Sequence, residues 1–197
     1  MQTQVSTSRA LRLAALAIVL ASTAITGCTT TGWRDKGDPV VERTDINAGV
    51  DSTLSRLYDS APESRQLVAR AAGVLVFPSV LSVSFGVGAE HGNGALRVAG
   101  KTVGYYDTTA GSVGFQAGAQ SKAIVVLFMT PDSLARFQNA NGWTAGVDAT
   151  VAVADVGANG SIDTNTIQQP VVGFVLNNSG LMAGVSLQGS KISKLHT

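Results

Sequence analysis

The 197-residue chain is poor in the residues that most often carry chemistry: one cysteine, two histidines, and only 14% Asp, Glu, Lys and Arg against about 25% in an ordinary globular domain. A single cysteine excludes an internal disulfide framework and any cysteine-cluster metal site. His196 is next to last, so a serine triad or a zinc site would have to use His91, and no helical His-Glu spacing supports either. Beyond position 71 the acidic residues stand singly, and no general acid/base pair can be named. The expectation is a protein that is not an enzyme, with no metal and no cofactor. A net charge of +1 lacks the basic footprint of a nucleic-acid binder. Aromatic residues make up 6%, a small stock for the two girdles of a transmembrane barrel, which low charge and alternation would otherwise suggest.

Glycine is abundant, with 22 residues, but its spellings do not form nucleotide loops. Gly100-Lys101-Thr102 lacks the glycine five residues earlier, where Ala95 stands. Gly86-Val87-Gly88 lacks the third glycine of a dinucleotide fold and the βαβ setting.

Charge is unevenly spread. Residues 34–70 hold 13 of the 27 charged residues, and residues 71–197 hold 12. Eighteen of the 22 glycines also lie in that second segment. Such a segment is either a densely packed sheet or a structure that lives beside lipid.

Residues 1–27 read as a lipoprotein signal peptide. Arg9 and Arg12 are the positive flank, Leu13 to Ile25 the apolar stretch, and Ile25-Thr26-Gly27-Cys28 the processing site. The apolar stretch is too short for a spanning helix, which needs about 20 residues. The last four residues resemble the bacterial lipobox, which implies Cys28 as the acylated first residue of the mature chain, carrying chains such as palmitate. Several acyl chains at roughly 0.8 kcal/mol per buried methylene make a stable anchor. Thr29 rather than Asp after the cysteine favours, by analogy with bacterial sorting, the outer membrane, with the domain facing the periplasm. Residues 28–44 read as a flexible tether, and residues 45–197 as one β-rich domain.

Within that domain Ile46, Val50, Leu54, Leu57, Tyr58 and Ala61 form the stripe of an amphipathic helix with Asp45 as its N-cap. Ser60-Ala61-Pro62-Glu63 spells a capping box for a second helix that buries Leu67, Val68 and Ala71. From Gly73 the period changes to two. Strands are expected at Val74 to Phe77, Phe85 to Ala89, Leu96 to Ala99, Thr102 to Tyr106, Val113 to Ala119, Ala123 to Met129, Val147 to Val153, Val171 to Leu176 and Leu181 to Leu187. Ala99-Gly100 and Asn178 to Gly180 supply turns, and Thr130-Pro131 opens a short helix that ends at Asn141-Gly142. The predicted fold is α+β and β-rich: an antiparallel, strongly coiled or barrel-like sheet of about nine strands, two N-terminal helices and one short inserted helix.

The blocks GVLVFPSV (73–80), FGVGAEHGNGAL (85–96), KTVGYY (101–106), GSVGFQAGAQSK (111–122), LFMT (127–130), GWTAGVDATVAVADVG (142–157) and GLMAGVSLQGSKI (180–192) resemble, in that order, the SYLF domain. The likeness spans roughly residues 46–195. It implies a lipid-binding module; eukaryotic members bind phosphoinositides, fungal members bind actin and its regulators, and bacterial members are commonly exported proteins or lipoproteins. The expected function is an envelope lipoprotein whose β-rich domain binds anionic lipid or another amphiphile, with a structural or protein-interaction module of the envelope as the alternative. The expected partners are the membrane, through the N-terminal acyl chains, an anionic phospholipid and an envelope protein, and no nucleic acid. Among the sparse cations, Lys101, Lys122 and Lys191 lie inside the resembling blocks and are the expected headgroup contacts.

Overall fold

A computed structural model of the protein describes residues 39–155 and 162–195. The expected signal peptide and Cys28 lie outside the described residues. The apolar stripe forms a helix, α1 (Pro39–Ser60), in which Ile46, Val50 and Leu57 are buried, with Ala61 buried just past its end. It starts earlier than expected. Pro39, whose fixed φ suits a first turn, opens it, so residues 39–44 are helical and Asp45 lies inside the helix instead of capping it. The second helix, α2 (Ser64–Arg70), buries Leu67. Its N-cap is Glu63, with no side-chain cap, so the expected capping box at Ser60 does not form. The Glu63 carboxylate instead accepts the backbone N–H of Ile162 at 3.1 Å.

From Gly73 the chain runs as one very long antiparallel hairpin, β1 (Gly73–Val98) and β2 (Lys101–Phe128). Ala99 and Gly100 turn it, both at positive φ (50° and 76°), the geometry whose twist matches that of the flanking strands. Six expected strands are therefore two. The register slips between Phe77 and Val80, between Phe85 and Gly86, and between Leu96 and Arg97. Such bulges bend a strand without ending it. Pro78, which cannot donate to a ladder, sits at the first.

After β2 the Thr130 hydroxyl accepts the N–H of Ser133 at 3.2 Å and Pro131 opens α3 (Pro131–Asn139), as the sequence predicts. There follow β3 (Trp143–Thr144), β4 (Ala152–Val153), α4 (Thr164–Ile167), β5 (Val171–Asn177), β6 (Gly180–Leu181) and β7 (Lys191–Lys194). Spatial order is β3-β7-β2-β5-β4, with β1 on β2 and β6 on β5. The α+β, strand-rich expectation holds, and the sheet curls into a half-barrel. One detail differs. The sheet is mixed, because β4 runs parallel to β5. Parallel neighbours need a crossover, and the residues between Val153 and Val171, α4 among them, supply it.

The sheet has two packed faces. The inner face carries Leu75, Phe77, Val80, Leu96, Tyr106, Ile124, Val126 and Phe128, closed by Leu134 and Phe137 of α3 and by Trp143 and Ile192. The outer face carries Val74, Val76, Ala95, Ala123, Val125 and Leu127 beneath Ile46, Val50, Leu57 and Leu67 of the helices. Curling brings β1 onto itself. A Cβ on Gly92 would lie 2.9 Å from Val80 Cα, and one on Gly94 would meet the Val76 carbonyl oxygen and stand 2.6 Å from the Phe77 ring. Glycine is required there by a close approach of backbone to backbone.

Candidate functional site

Two features stand out on this scaffold. The first is a cleft of about 380 Å³ between the helices and the turn end of the hairpin. Leu54 and Tyr58 come from α1, Val68 and Ala69 from α2, and Val74 and Arg97 from the two ends of β1. Apart from Tyr58 and Arg97 the lining side chains are apolar, and Arg97 supplies the positive charge. Its Nη1 donates to Asp51 Oδ1 at 2.6 Å and its Nη2 to the Asn47 carbonyl at 3.4 Å, while its buried Nε has no acceptor. The Arg97 side chain is 16% exposed and that of Asp51 68%. The hydrogen bond from Arg97 holds the Asp51 carboxyl below its ordinary value, against a smaller opposing effect of burial. Asn47 also accepts from the Thr102 hydroxyl at 2.7 Å and donates to the Tyr105 hydroxyl at 2.8 Å, which fixes the helix over the strand end. Arg65 stacks over the Tyr58 ring at 4.5 Å, and burial pushes the Tyr58 hydroxyl up. Apolar walls and a guanidinium with an unused donor suit a molecule with an anionic head and an apolar body.

The second feature is the bend of the hairpin. Leu81, Val83, Phe85, Val87 and Ala89 alternate along β1 and, by register, continue the outer face beyond the reach of the helices. Phe85 is 87% exposed and Val87 72%; Leu81 and Val83 are about half exposed. Here the ribbon is two strands wide among the described residues, since β7 pairs with β2 only at Tyr106–Thr109 and β5 only at Ala123–Phe128. Residues 81–89 and 110–121 contain no charged residue. At the base of this lobe, on the inner face, Lys122 Nζ pairs with Glu90 Oε1 at 2.8 Å.

The three expected headgroup lysines are not brought together. Lys101 is exposed beside the hairpin turn. Lys122 lies opposite Val80, largely covered and paired to Glu90. Lys191 is exposed on the outer face, in one row with Thr109 and His91. His91 is exposed, and among the described residues no group of three His, Cys, Asp or Glu side chains is placed to hold a metal ion. No helix among the described residues is long and apolar enough to cross a membrane.

Residues 109–196 match the family model of Ysc84, described as Las17-binding protein actin regulator. This segment belongs to the Ysc84, or SYLF, family. No curated protein matches the chain. The SYLF segment begins where β2 passes His91 and runs through α3 to β7, so it takes in the resembling blocks at 111–122, 127–130, 142–157 and 180–192. The blocks at 73–80, 85–96 and 101–106 precede it. Every cleft residue also precedes it, whereas the lobe is shared, β1 outside the SYLF segment and β2 within it.

Arg97 stands among the six basic residues beyond position 71 on which a headgroup site could draw, but the resembling blocks favoured Lys101, Lys122 and Lys191 over it. Apart from Glu90 it is the charged residue of β1, next to last before the turn. What selects it is the approach of α1 from 46 residues away in sequence, which no local pattern encodes.

Proposed function

We propose that the chain is a bacterial envelope lipoprotein, acylated at Cys28, held at the outer membrane and facing the periplasm, whose domain is a non-enzymatic module that binds anionic lipid or another amphiphile. The cleft carries this reading: about 380 Å³ lined by Leu54, Val68, Val74 and other largely apolar side chains, beside a guanidinium that keeps a buried, unpartnered N–H. The SYLF membership supports a lipid-binding or actin-regulator-like module. In this assignment Arg97 takes the anionic head, and Leu54, Val68 and Val74 take the apolar body.

The test uses the full chain bearing Cys28→Ser, titrated with dodecyl phosphate and, separately, with a neutral dodecyl glycoside. Binding of the phosphate, weakened about tenfold or more by Arg97→Ala, is expected, because a charge-assisted hydrogen bond contributes about 1.5–3 kcal/mol. Equal affinity for both amphiphiles, or an Arg97→Ala variant that binds normally, would refute the assignment. Acylation is read separately, by the mass of the mature N-terminal peptide.

The family description names a protein-binding regulator. That supports the alternative, a structural or protein-interaction module of the envelope. One dominant protein adduct on cross-linking in cells, with no amphiphile bound to the purified chain, would favour it.

A further inference from the structure

We propose that the bend of the β1–β2 hairpin is a membrane-inserting lobe, which seats Leu81, Val83, Phe85 and Val87 in the boundary between headgroups and acyl chains through apolar contact and not through headgroup charge. This rests on the reading of the domain as membrane-facing, but it uses different residues from the cleft.

Three observations select a bilayer as the occupant. First, the 81–89 and 110–121 segments carry no ionisable side chain, so immersion desolvates no charge, the costliest part of burial. The Glu90–Lys122 pair marks where that condition ends. Second, the area is small. Nine residues at about 3.3 Å each, across two strands about 4.8 Å apart, give an outer face of roughly 300 Å². A specific dimer needs about 800 Å² from each copy, whereas a surface already held at a membrane gains from any apolar increment. Third, the chain enters the domain at the base of this lobe. Asn93, two residues beyond His91, donates to Glu42 Oε1 at 2.7 Å, and Glu42 lies in the first turn of α1. The stretch from Cys28 to Pro39 spans at most about 40 Å when extended, so an acyl anchor there keeps the lobe within reach of the surface. Depth is limited by the ribbon's two edges, along which no other described strand pairs. Unpaired backbone groups are not tolerated in hydrocarbon, which confines the lobe to the outer 5–10 Å or so of the leaflet.

The experiment uses the full chain with Cys28→Ser, which leaves no other cysteine, so that Val87→Cys carries a single environment-sensitive fluorophore and Val147→Cys, exposed outside the lobe, carries the control. Vesicles of pure phosphatidylcholine and of phosphatidylcholine with phosphatidylglycerol are compared at low salt and at about 1 M salt, where the Debye length is about 3 Å. The expected result is a blue shift at Val87 and none at Val147 on both vesicle types. It persists in high salt, and Phe85→Ser weakens partitioning about tenfold or more. Phe85 is outside the core, so this variant should keep the wild-type circular dichroism.

Binding only to anionic vesicles, abolished by salt and silent at Val87, would overturn the lobe and leave anionic lipid binding standing. Absence of vesicle binding alongside dodecyl phosphate binding would overturn the lobe and leave the cleft. A Val87 probe already blue-shifted without vesicles, in a chain of dimeric mass, would assign the lobe to a second copy and overturn the proposal. Failure with vesicles and with dodecyl phosphate together would remove both readings.

Discussion

Gly94→Ala tests the curl that shapes the whole domain. The added Cβ would be driven against the Val76 carbonyl oxygen and the Phe77 ring. The oxygen belongs to a main chain held in the β1–β2 ladder, so rotamer adjustment cannot relieve the clash. Overpacking a fitted core costs about 1–3 kcal/mol, and a collision with backbone belongs in the upper half of that range. Replacing glycine also removes unfolded-chain entropy, which returns about 0.4–1 kcal/mol. The net expectation is a loss of about 1–2.5 kcal/mol. Gly111→Ala is the control: it lies on the same hairpin, a Cβ added there would meet nothing within 4 Å, and its φ is not positive, so only the gain of about 0.4–1 kcal/mol applies. The entropy gain is common to both and cancels, so the two variants should differ by about 2–3 kcal/mol. Urea unfolding of the full chain, followed by the fluorescence of Trp143, buried against Phe128 and Phe137, reads the difference. If the two variants unfold within about 0.5 kcal/mol of each other, β1 does not cross itself at Gly94.

Thr130→Ala removes the α3 cap and should cost about 1 kcal/mol, whereas Thr130→Ser should cost much less; equal losses would deny the cap its role. For Glu90 and Lys122, a double-mutant cycle with Glu90→Gln and Lys122→Met should give a coupling of about 1–2 kcal/mol, between the values typical of exposed and buried pairs; a coupling near zero would place the pair in open solvent. Asp51 is held below its ordinary value of 3.8, so its contribution is present above that pH and is lost as pH falls through the lowered native value. The stability gap between wild type and Asp51→Asn should accordingly close in strong acid, and a gap unchanged down to about pH 2 would contradict the Arg97 contact. Burial raises the hydroxyls of Tyr58 and Tyr106, so their contribution is complete below about pH 10 and lost as pH rises through the raised values; spectrophotometric titration in which every tyrosine ionises normally would refute it.

The helical stripe from Ile46 to Ala61, the Thr130 cap and the Ala99-Gly100 turn were legible in the sequence because each is decided within a few residues. The strand boundaries were not. Glycines and serines between 78 and 95 read as strand ends when only local pattern is used, yet glycine also lets a strand bend and lets another backbone come within van der Waals range. Only the contact of Gly94 with Val76 and Phe77 distinguishes these cases, and that contact is tertiary. The parallel β4–β5 pair was hidden for a related reason: two residues, Ala152 and Val153, carry too little pattern to reveal direction. In the candidate site the expected lysines follow from sequence blocks alone, and register separates them, with Lys122 opposite Val80 and Lys191 opposite Thr109.

The uneven charge has a structural use. The polar residues of α1 act as clips onto an otherwise apolar sheet: Glu42 receives Asn93 at the lobe base, Asp51 receives Arg97 at the strand end, and Arg56 donates to the Asn177 carbonyl at 2.6 Å where β5 turns into β6. Three clips along one helix fix it to three separate parts of the sheet, with Ile46, Val50 and Leu57 packed between them. A helix fastened at its polar positions specifies orientation as well as burial, so the sheet needs few charges of its own to hold the helix in register. The bend of the hairpin lies beyond the last clip and is left without charge. That division of labour is what allows one domain to combine a cleft beside Arg97 with an uncharged lobe, and it explains why the charges before position 71 and their scarcity after it belong to one design.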